Sequence, residues 1–453
     1  MGSIQSALSN AANSLDAFSQ VMDVTENNVT NASTPGYAKQ TQSLDPLPFD
    51  LAEGLMGGVR AGQVVSARSQ YAEQTVRSAQ TSLGQSQQDV ASLTNVQSVF
   101  DISDASGLAG DLNTLFSNFS AWGQTPTSAT ATQAVITSAG NVAQDFHQAD
   151  QALTAVQAAT GTQLRTTVAD VNQLTAQLAD LDAQAARASG PDAGLDAQIN
   201  STLEQLSQYA GITAMPQSDG SYNVLLNGQI PLVLAGQQYQ LSCAVDPGAA
   251  QGATILSGGA DVTAQVDGGQ LGSLLDTYNT VLPSYLGDPT QQGQLNTMAQ
   301  QLADAVNGTL SGSGLVLFDY DSTSLNTVAQ TLTVDPNASA AQLAGAPVSA
   351  PASLAGLESA PQDALGGSTF SEYYGQMASS VGAALSAATD QQTTGQATLA
   401  QAQNLRQQSS GVSLDQEAMT MIQFQSAYDA CSKMVTTLDQ VTQDAIDMVQ
   451  VFT

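Results

Sequence analysis

The chain has 453 residues and is strongly acidic: 39 Asp and Glu face 8 Lys and Arg, which gives a formal net charge of −31. Phosphate backbones and anionic lipids are bound by clustered cations, so this balance argues against a nucleic acid partner and against a membrane surface. The eight cations are scattered along the sequence, at Lys39, Arg60, Arg68, Arg77, Arg165, Arg187, Arg406 and Lys433. No apolar run approaches the roughly 18–20 residues that span a bilayer, so we also expect no membrane insertion.

The residues that usually carry site chemistry are almost absent. The chain has one histidine, His147, and two cysteines, Cys243 and Cys431. A zinc site would lack ligands, and a Ser-His-Asp triad would have to use His147 without a Gly-x-Ser-x-Gly nucleophile elbow. We therefore expect no catalytic, cofactor-binding or metal site. The distant cysteines make a disulfide framework improbable and leave their redox state open.

The N-terminal segment carries a heptad pattern that ends in a turn. Apolar or small residues recur at spacings of 4, 3, 4, 3, 4, 3 and 4, at Ile4, Leu8, Ala11, Leu15, Phe18, Met22, Thr25 and Val29. This pattern predicts a coiled-coil seam about 40 Å long. Pro35 and Gly36 fit the central positions of a type II turn, so the chain should change direction before Tyr37.

Long helices are predicted for most of the middle of the chain. Between residues 70 and 209, Ala, Gln, Ser, Thr and Leu follow helical spacing, with breaks near Gly123 to Thr127 and at Gly190-Pro191. The helical pattern resumes after Gly268-Gly269, continues from Leu295 to Leu310, and returns from about Ser371 to Gln408.

Short strands are predicted between these helices. Four extended runs, Ile212 to Met215, Ser221 to Leu226, Ile230 to Leu234 and Gln238 to Cys243, are separated by Asp219-Gly220, Asn227-Gly228 and Ala235-Gly236. Asp-Gly and Asn-Gly between apolar runs are strong hairpin signals. A second β-like stretch covers Leu315 to Phe318 and Thr331 to Val334.

The C-terminal segment carries a second heptad seam. Its first register contains Leu414, Ala418, Met421, Gln425 and Tyr428, and its second contains Cys431, Val435, Leu438, Thr442, Ala445, Val449 and Phe452. The three-residue step from Tyr428 to Cys431 predicts a stammer that overwinds the helix. Further apolar residues lie outside the two seams and would face solvent in a two-helix monomer: Val21, Val24, Ile422, Phe424, Val441 and Ile446. We expect other copies of the chain to bury them.

The predicted fold is mainly α with an inserted small β domain. Residues 1–50 and 405–453 would form a terminal coiled-coil assembly domain. Residues 51–210, 268–310 and 366–404 would form a helical bundle, or rod, and residues 211–267 and 311–365 an outer β domain with a linker. Because Ala, Thr and Gln at seam positions bury little area, we expect residues 1 to about 45 and about 410 to 453 to order only on assembly.

Several motifs resemble the flagellar axial proteins of the rod and hook and, among them, the hook-associated proteins. Asn27 to Tyr37 resembles the family's Asn-rich helix end that runs into Thr-Pro-Gly-Tyr. Ser409 to Ala418 and Phe424 to Tyr428 are similar to its C-terminal signature. Gly269 to Asp276 and Asp219 to Val224 are similar to internal segments of the hook-associated proteins.

The resemblance implies a structural protein that polymerises at the distal end of the hook and joins hook to filament. It implies no enzymatic activity, and type III export agrees with the lack of a Sec signal peptide. The implied location is the extracellular flagellum, and the implied partners are further copies, hook protein, the next hook-associated junction protein and an export chaperone. Two alternatives to this role stay open: another axial protein such as flagellin, or a secreted adhesin-like binding protein.

We expect the assembly interface to be formed by residues of the two seams and of the turn. They are Ile4, Leu8, Leu15, Phe18, Met22, Val29, Pro35, Gly36, Tyr37, Leu414, Met421, Phe424, Tyr428, Val435, Leu438 and Val449.

Overall fold

The fold is predominantly helical. A computed structural model describes residues 2–50, 55–100, 107–188, 190–246 and 252–451. The α-helices within these ranges are α1 (Gly2–Thr30), α2 (Gln70–Gln97), α3 (Gly107–Gln124), α4 (Ala129–Ala185), α5 (Ala193–Tyr209), α6 (Gly269–Asp276), α7 (Leu282–Leu286), α8 (Gln294–Leu310), α9 (Val328–Thr331), α10 (Ala340–Ala344), α11 (Ala350–Gly356), α12 (Phe370–Ser410) and α13 (Leu414–Val451). The predicted helix breaks between α3 and α4, and between α4 and α5, are therefore confirmed.

The strands are short and antiparallel. They are β1 (Gln40–Pro46), β2 (Phe49–Asp50), β3 (Leu55–Met56), β4 (Val59–Ser66), β5 (Ile212–Pro216), β6 (Tyr222–Leu226), β7 (Ile230–Leu234), β8 (Gln237–Gln238), β9 (Leu241–Val245), β10 (Ala253–Ser257), β11 (Ala260–Asp261), β12 (Gly287–Asp288), β13 (Gln291–Gln292), β14 (Phe318–Asp319) and β15 (Thr333–Val334). Strands β5 to β8 form one sheet in chain order, and β9 to β11 form another. The predicted Asn-Gly hairpin turn is confirmed, since Asn227 and Gly228 both have positive φ, at 46° and 70°.

Two hydrophobic cores share the long helix α4. Its first half contributes Val135 to Leu153 to a core with α3, α8 and the start of α12. Its second half contributes Leu164 to Leu181 to a core with α5, α6 and strands β6, β7, β9 and β10. Helix α4 therefore forms the axis that connects the two parts of the bundle.

The predicted domain division needs two corrections. Residues 311–365 were placed with the β domain, yet Leu317, Val328, Leu343 and Leu354 pack into the core around α3 and α8. Strands β14 and β15 pair only with each other among the described strands, so they do not extend the sheets of β5 to β11. The short apolar runs of residues 311–365 return the chain to the helical core. There their side chains bury more apolar area than they would in a two-stranded sheet.

The second correction concerns the boundary at residues 50/51, which cuts through a β-hairpin. Strand β1 pairs with β4, from Gln40 opposite Ser66 to Pro46 opposite Val59. The hairpin lies along α1, with Gln40 bonded to Asn28 and Gly58 beside Asn10. The terminal part of the fold thus contains α1, this hairpin and α13.

Helices α2 and α12 pack side by side and connect the terminal part to the bundle. The buried residues of α12 in this contact recur every seven positions, at Val381, Ala388, Gly395 and Ala402. They are small, and a Cβ on Gly395 would lie 3.4 Å from Leu83 Cα, so the two helices approach closely.

Candidate functional site: the terminal helix pair

Helices α1 and α13 form an antiparallel pair. Asn28 lies beside Glu417 at one end, and ten residues earlier Phe18 lies beside Phe424, with ring centroids 5.9 Å apart. Along the pair, residue numbers therefore rise on α13 in the direction in which they fall on α1. Because Phe424 is half-buried against Phe18, the prediction that it would face solvent is wrong.

The buried face of α1 shares Ala11 and Thr25 with the predicted seam and is otherwise shifted from it. The predicted positions Ile4, Leu8, Leu15, Phe18 and Met22 are half-buried, and Val29 is 39% exposed. The fully buried residues are Ala11, Ser14, Ala17, Val21, Thr25 and Asn28. The prediction that Val21 would be exposed is wrong, because α1 packs against the hairpin as well as against α13.

The inner face of α13 is a stripe of residues covered by the rest of the terminal part. They are Glu417, Met421, Phe424, Ala427, Cys431, Val435, Leu438, Thr442 and Ala445, whereas Tyr428 of the predicted seam is 36% exposed. The predicted first register failed at Leu414, Ala418 and Gln425, which are exposed. Burial of Glu417 sets the true register, so the stripe passes through Phe424 instead of Gln425. The side chain of Val449 lies outside the described residues.

Outside the inner stripe, α13 exposes several large apolar side chains. Exposed large side chains on this helix include Met419, Ile422, Met434, Val441, Ile446 and Met448. Of the four residues predicted to be exposed on α13, Ile422, Val441 and Ile446 are exposed and Phe424 is not. Exposed apolar side chains repeated along one helix are typical of an interaction surface.

The turn after α1 has the predicted geometry. Tyr37 N donates to Thr34 O at 3.1 Å, and Gly36 between them has φ 75°, as a type II turn requires. Gly36 also lies against α5, where an added Cβ would be 2.4 Å from Ala197 O. Glycine is thus required twice, by the positive φ and by the close approach of α5.

Asn28 is the centre of a polar network between α1, the hairpin and α13. Its Nδ2 donates to Gln40 O at 2.8 Å and to Glu417 Oε2 at 3.0 Å. Its Oδ1 accepts from Gln40 N at 2.8 Å and from the Tyr37 hydroxyl at 2.9 Å. Lys39 Nζ lies 2.6 Å from Glu417 Oε1. Burial, and then the charge of Glu417, raise the pKa of Tyr37, which keeps its hydroxyl a donor.

A second cluster joins this network to the bundle through Arg68. Arg68 lies 2.6 Å from Glu73, 2.7 Å from Asp196 of α5, and donates to Gly36 O at 2.6 Å. Arg406 of α12 lies 2.7 Å from Glu204 of α5 and 3.5 Å from Glu73. Glu73 is thus held between two guanidinium groups, one from the segment before α2 and one from α12.

A third arginine, Arg77, is buried beside this cluster. Burial lowers its pKa, and the charge of Glu73 opposes that effect. Half of the chain's cations, Lys39, Arg68, Arg77 and Arg406, therefore gather where the terminal pair meets the bundle. Their position corrects the impression of scattered charge, since the fold brings together residues that are distant in sequence. We call the residues of these two clusters the joint: Asn28, Gly36, Tyr37, Lys39, Gln40, Arg68, Glu73, Arg77, Asp196, Glu204, Arg406 and Glu417.

Among the residues that the structure describes, no three His, Cys, Asp or Glu side chains are placed to hold a metal ion. Within those ranges, too, every helix is too short or too polar to cross a membrane. His147 is half-buried on α4, and its Nε2 has no hydrogen-bond partner in the described part of the chain.

Two family models match the chain. Residues 93–318 match the model described as the helical domain of flagellar hook-associated protein FlgK, and residues 404–448 match the C-terminal model of the flagellar basal body rod FlgEFG proteins. The first match covers α3 to α8, all of the second core and part of the first, while the second covers most of α13. The two matches therefore include much of the bundle and one helix of the terminal pair.

The similar proteins are described as flagellar hook-associated protein 1 or as the flagellar hook junction protein FlgK. Flagellar hook-associated protein 1 of Bacillus subtilis is 26% identical over 97% of both chains. The proteins of the same name in Salmonella typhimurium and Escherichia coli are 24% and 23% identical over 53% of this chain, which spans 44% and 45% of theirs. The flagellar hook junction protein FlgK from Burkholderia pseudomallei is 27% identical in sequence, with a TM-score of 0.47, over 55% of this chain and 47% of its own. The chain belongs to the flagellar hook-associated protein 1 family.

Proposed function

We propose that the chain is a structural subunit that polymerises through its terminal helix pair at the distal end of the flagellar hook and joins hook to filament. Membership of the hook-associated protein 1 family supports this role. The observation that carries it is the set of exposed apolar side chains of α13, among them Ile422, Met434 and Val441, on a helix whose inner stripe already packs on α1. A helix that exposes large apolar side chains beyond its contact within one copy needs a second partner, and identical copies supply one.

The proposal extends to the predicted interface, whose residues divide into two groups. Phe18, Met421, Phe424, Val435 and Leu438 are half-buried and hold α1 and α13 together within one copy. Leu414, Tyr428 and Val29 are at least 36% exposed and are available to neighbouring copies. Pro35, Gly36 and Tyr37 orient the pair on the bundle.

The partners and location follow from the same role. We assign the subunit to the extracellular flagellum at the hook-filament junction, in contact with further copies, hook protein and the next hook-associated junction protein. An export chaperone that covers the exposed face of α13 before assembly would act by a helix-in-groove mode. We assign it no enzymatic activity. The support for that assignment is the scarcity of His and Cys in the sequence.

Complementation of a deletion strain tests the proposal. We expect the deletion strain to form hooks without filaments and to shed flagellin into the medium, and the intact chain to restore filaments. The double variant Ile422→Asp/Val441→Asp should be secreted but fail to restore them. Its matched control is Gln425→Asp/Gln443→Asp, which adds the same two charges at exposed positions of the same helix that carry polar side chains. Full filaments with the first variant, or filaments in the deletion strain itself, would refute the proposal.

A further inference from the structure

On α13, full burial is confined to the end at the joint. Asn28 and Glu417 at the joint are 1% and 2% exposed. From Ala418 to Met448, by contrast, every described side chain of α13 is half-buried or exposed. Helix α13 is therefore enclosed at the joint and only half-covered beyond it, whereas α1 keeps buried residues as far from the joint as Ala11.

The joint ties three separate segments of the chain. Asn28 uses both its amide hydrogens and its carbonyl oxygen to bind Gln40 and Glu417. Ser410, at the end of α12, accepts from Lys39 N at 2.9 Å through its carbonyl and from Ser69 N at 3.1 Å through its hydroxyl. The end of α1, the segments at the two ends of the hairpin and the α12–α13 connection are thus fixed to each other by hydrogen bonds, most of which involve a backbone group.

The joint is also balanced in charge within a very acidic chain. Lys39, Arg68, Arg77 and Arg406 face Glu73, Asp196, Glu204 and Glu417. Four positive and four negative groups cancel in a chain whose formal net charge is −31. Removal of one partner leaves a buried charge uncompensated, which is strongly unfavourable. The joint therefore balances its charges in number within one copy, while the buried Nη1 of Arg77 has no hydrogen-bond partner among the described residues.

Open clefts border the joint. One cleft, of about 790 Å³, is lined by Val65, Arg68 and Asp192, and a second, of about 760 Å³, by Asp23, Val64 and Ala188. Both lie between the terminal part and the loop that connects α4 to α5. Because these clefts separate the surfaces on either side, attachment of the terminal part to the bundle is concentrated in the joint.

We propose that the joint orders the adjoining turns of α1 and α13 in a single copy, so that only the distal part of α13 awaits neighbouring copies. The ordered part extends from the joint to about Phe18 and Phe424, where the aromatic contact lies. Beyond this contact, the seam of α13 contains Thr442 and Ala445, which bury too little area to hold an isolated helix pair. This proposal narrows the expectation that both ends are mobile throughout.

Hydrogen exchange on the full-length chain tests this proposal. The sample is a monomer verified by analytical ultracentrifugation, and exchange is compared between the near segments, residues 20–30 and 417–428, and the distal segment, residues 430–448. We expect the near segments to exchange at least about tenfold more slowly than the distal one, and Glu417→Ala to remove most of that difference. Asp439→Ala, at an exposed position on the same helix, is the matched control and should change neither segment.

A second variant distinguishes loss of the joint's contacts from misfolding of the chain. Lys39→Met removes the ion pair but leaves the Asn28–Glu417 hydrogen bond, and the side chain of Lys39 is 24% exposed. It should reduce protection of the near segments in the same direction, while protection of α2 and α8 stays unchanged. Equally fast exchange in the near and distal segments of the unmodified chain would overturn the proposal. So would equal effects of Glu417→Ala and Asp439→Ala.

This inference rests on the proposed function only in treating the single copy as the precursor of an assembly. Exchange is measured on the isolated chain and needs no hook or filament. A failed exchange test leaves the junction role standing, and a failed complementation test leaves the exchange result standing.

Discussion

Asn28 Nδ2 lies 3.0 Å from Glu417 Oε2, although 389 positions separate the two residues in the chain. Both side chains are buried, and each belongs to a motif that resembles a terminal signature of the axial proteins. The Asn-rich end of the first helix and the start of the last helix are thus two halves of one polar contact. The contact explains why a carboxylate and an amide occupy positions that face away from water.

Gly36→Ala should open the joint. The substitution places a Cβ at positive φ and 2.4 Å from Ala197 O, so we expect a loss of at least about 1–2 kcal/mol in local stability. Trypsin cleavage after Lys39, inside the joint, reports that opening and should accelerate by about tenfold. Gly308→Ala is the control, because its Cβ would meet nothing within 4 Å, and it should leave the cleavage rate unchanged. Unaltered cleavage in the Gly36 variant would contradict the assigned contact.

Asp182→Asn should stabilise the fold at neutral pH. Burial raises the pKa of Asp182 to about 6, the hydrogen bond from Tyr222 N opposes that effect, and nearby Asp219 adds to it. Such a carboxyl has a higher pKa in the folded chain than in the unfolded chain, so ionising it destabilises the fold. The loss of stability grows as the pH rises from the ordinary pKa of 3.8 to about 6 and is complete above about pH 6. Asparagine keeps an acceptor for Tyr222 N at 3.0 Å but carries no charge.

Guanidinium unfolding of the two chains between pH 4 and pH 8 checks this prediction. The variant's midpoint should exceed the wild-type midpoint above about pH 6, and the difference should shrink toward pH 4. Exposed Asp180→Asn on the same helix is the control and should show no such trend. A difference that grows as the pH falls would show that the sign is wrong.

Val435→Asp should prevent incorporation into the junction. Val435 is half-buried on the inner stripe of α13, where an unpaired carboxylate is unfavourable, and a symmetric assembly repeats that cost in every copy. Neither hydrophobic core includes Val435, so the bundle should stay folded. Secreted protein and images of hook tips in the deletion strain are the measurements.

The control for Val435→Asp is Gln443→Asp, at an exposed position of the same helix, which should have a much smaller effect. Normal export of the Val435 variant together with full-length filaments would show that the stripe is not an assembly element. If the variant is not secreted, assembly of purified protein on isolated hooks separates a defect in export from a defect in incorporation.

His147→Gln should leave motility intact. The imidazole lies half-buried on α4, its Nε2 has no hydrogen-bond partner in the described ranges, and no metal cluster is formed there. Swimming speed and filament length in the complemented deletion strain are the measurements. Lost motility with normal secretion would reveal a role for this side chain.

Helical periodicity predicted the elements well but not the register of the terminal pair. The pattern located α13, yet it favoured Gln425 over Phe424, because a hydropathy pattern gives no weight to a buried carboxylate such as Glu417. It also missed the β1–β4 hairpin. Strand β4, Val59–Ser66, contains Arg60, Gly62 and Gln63 and is only half-covered by α1, so its alternation is weak.

The joint could not be predicted from spacing at all. Arg68 and Arg406 are more than three hundred residues apart and meet only because α2 and α12 pack along each other. Tertiary packing creates this cluster, and local sequence contains no sign of it. The turn at Gly36 was predictable, since positive φ has a local signature in Pro-Gly.

The contact between α1 and α13 closes a loop that contains the rest of the described chain. The entropy of closing a loop rises slowly with length, so that doubling the number of residues costs only about 0.6 kcal/mol. Evolution can therefore lengthen, shorten or replace the outer segments while Asn28 and Glu417 stay in contact. We expect the outer segments of such a subunit to vary more in length and sequence than the inner helix pair.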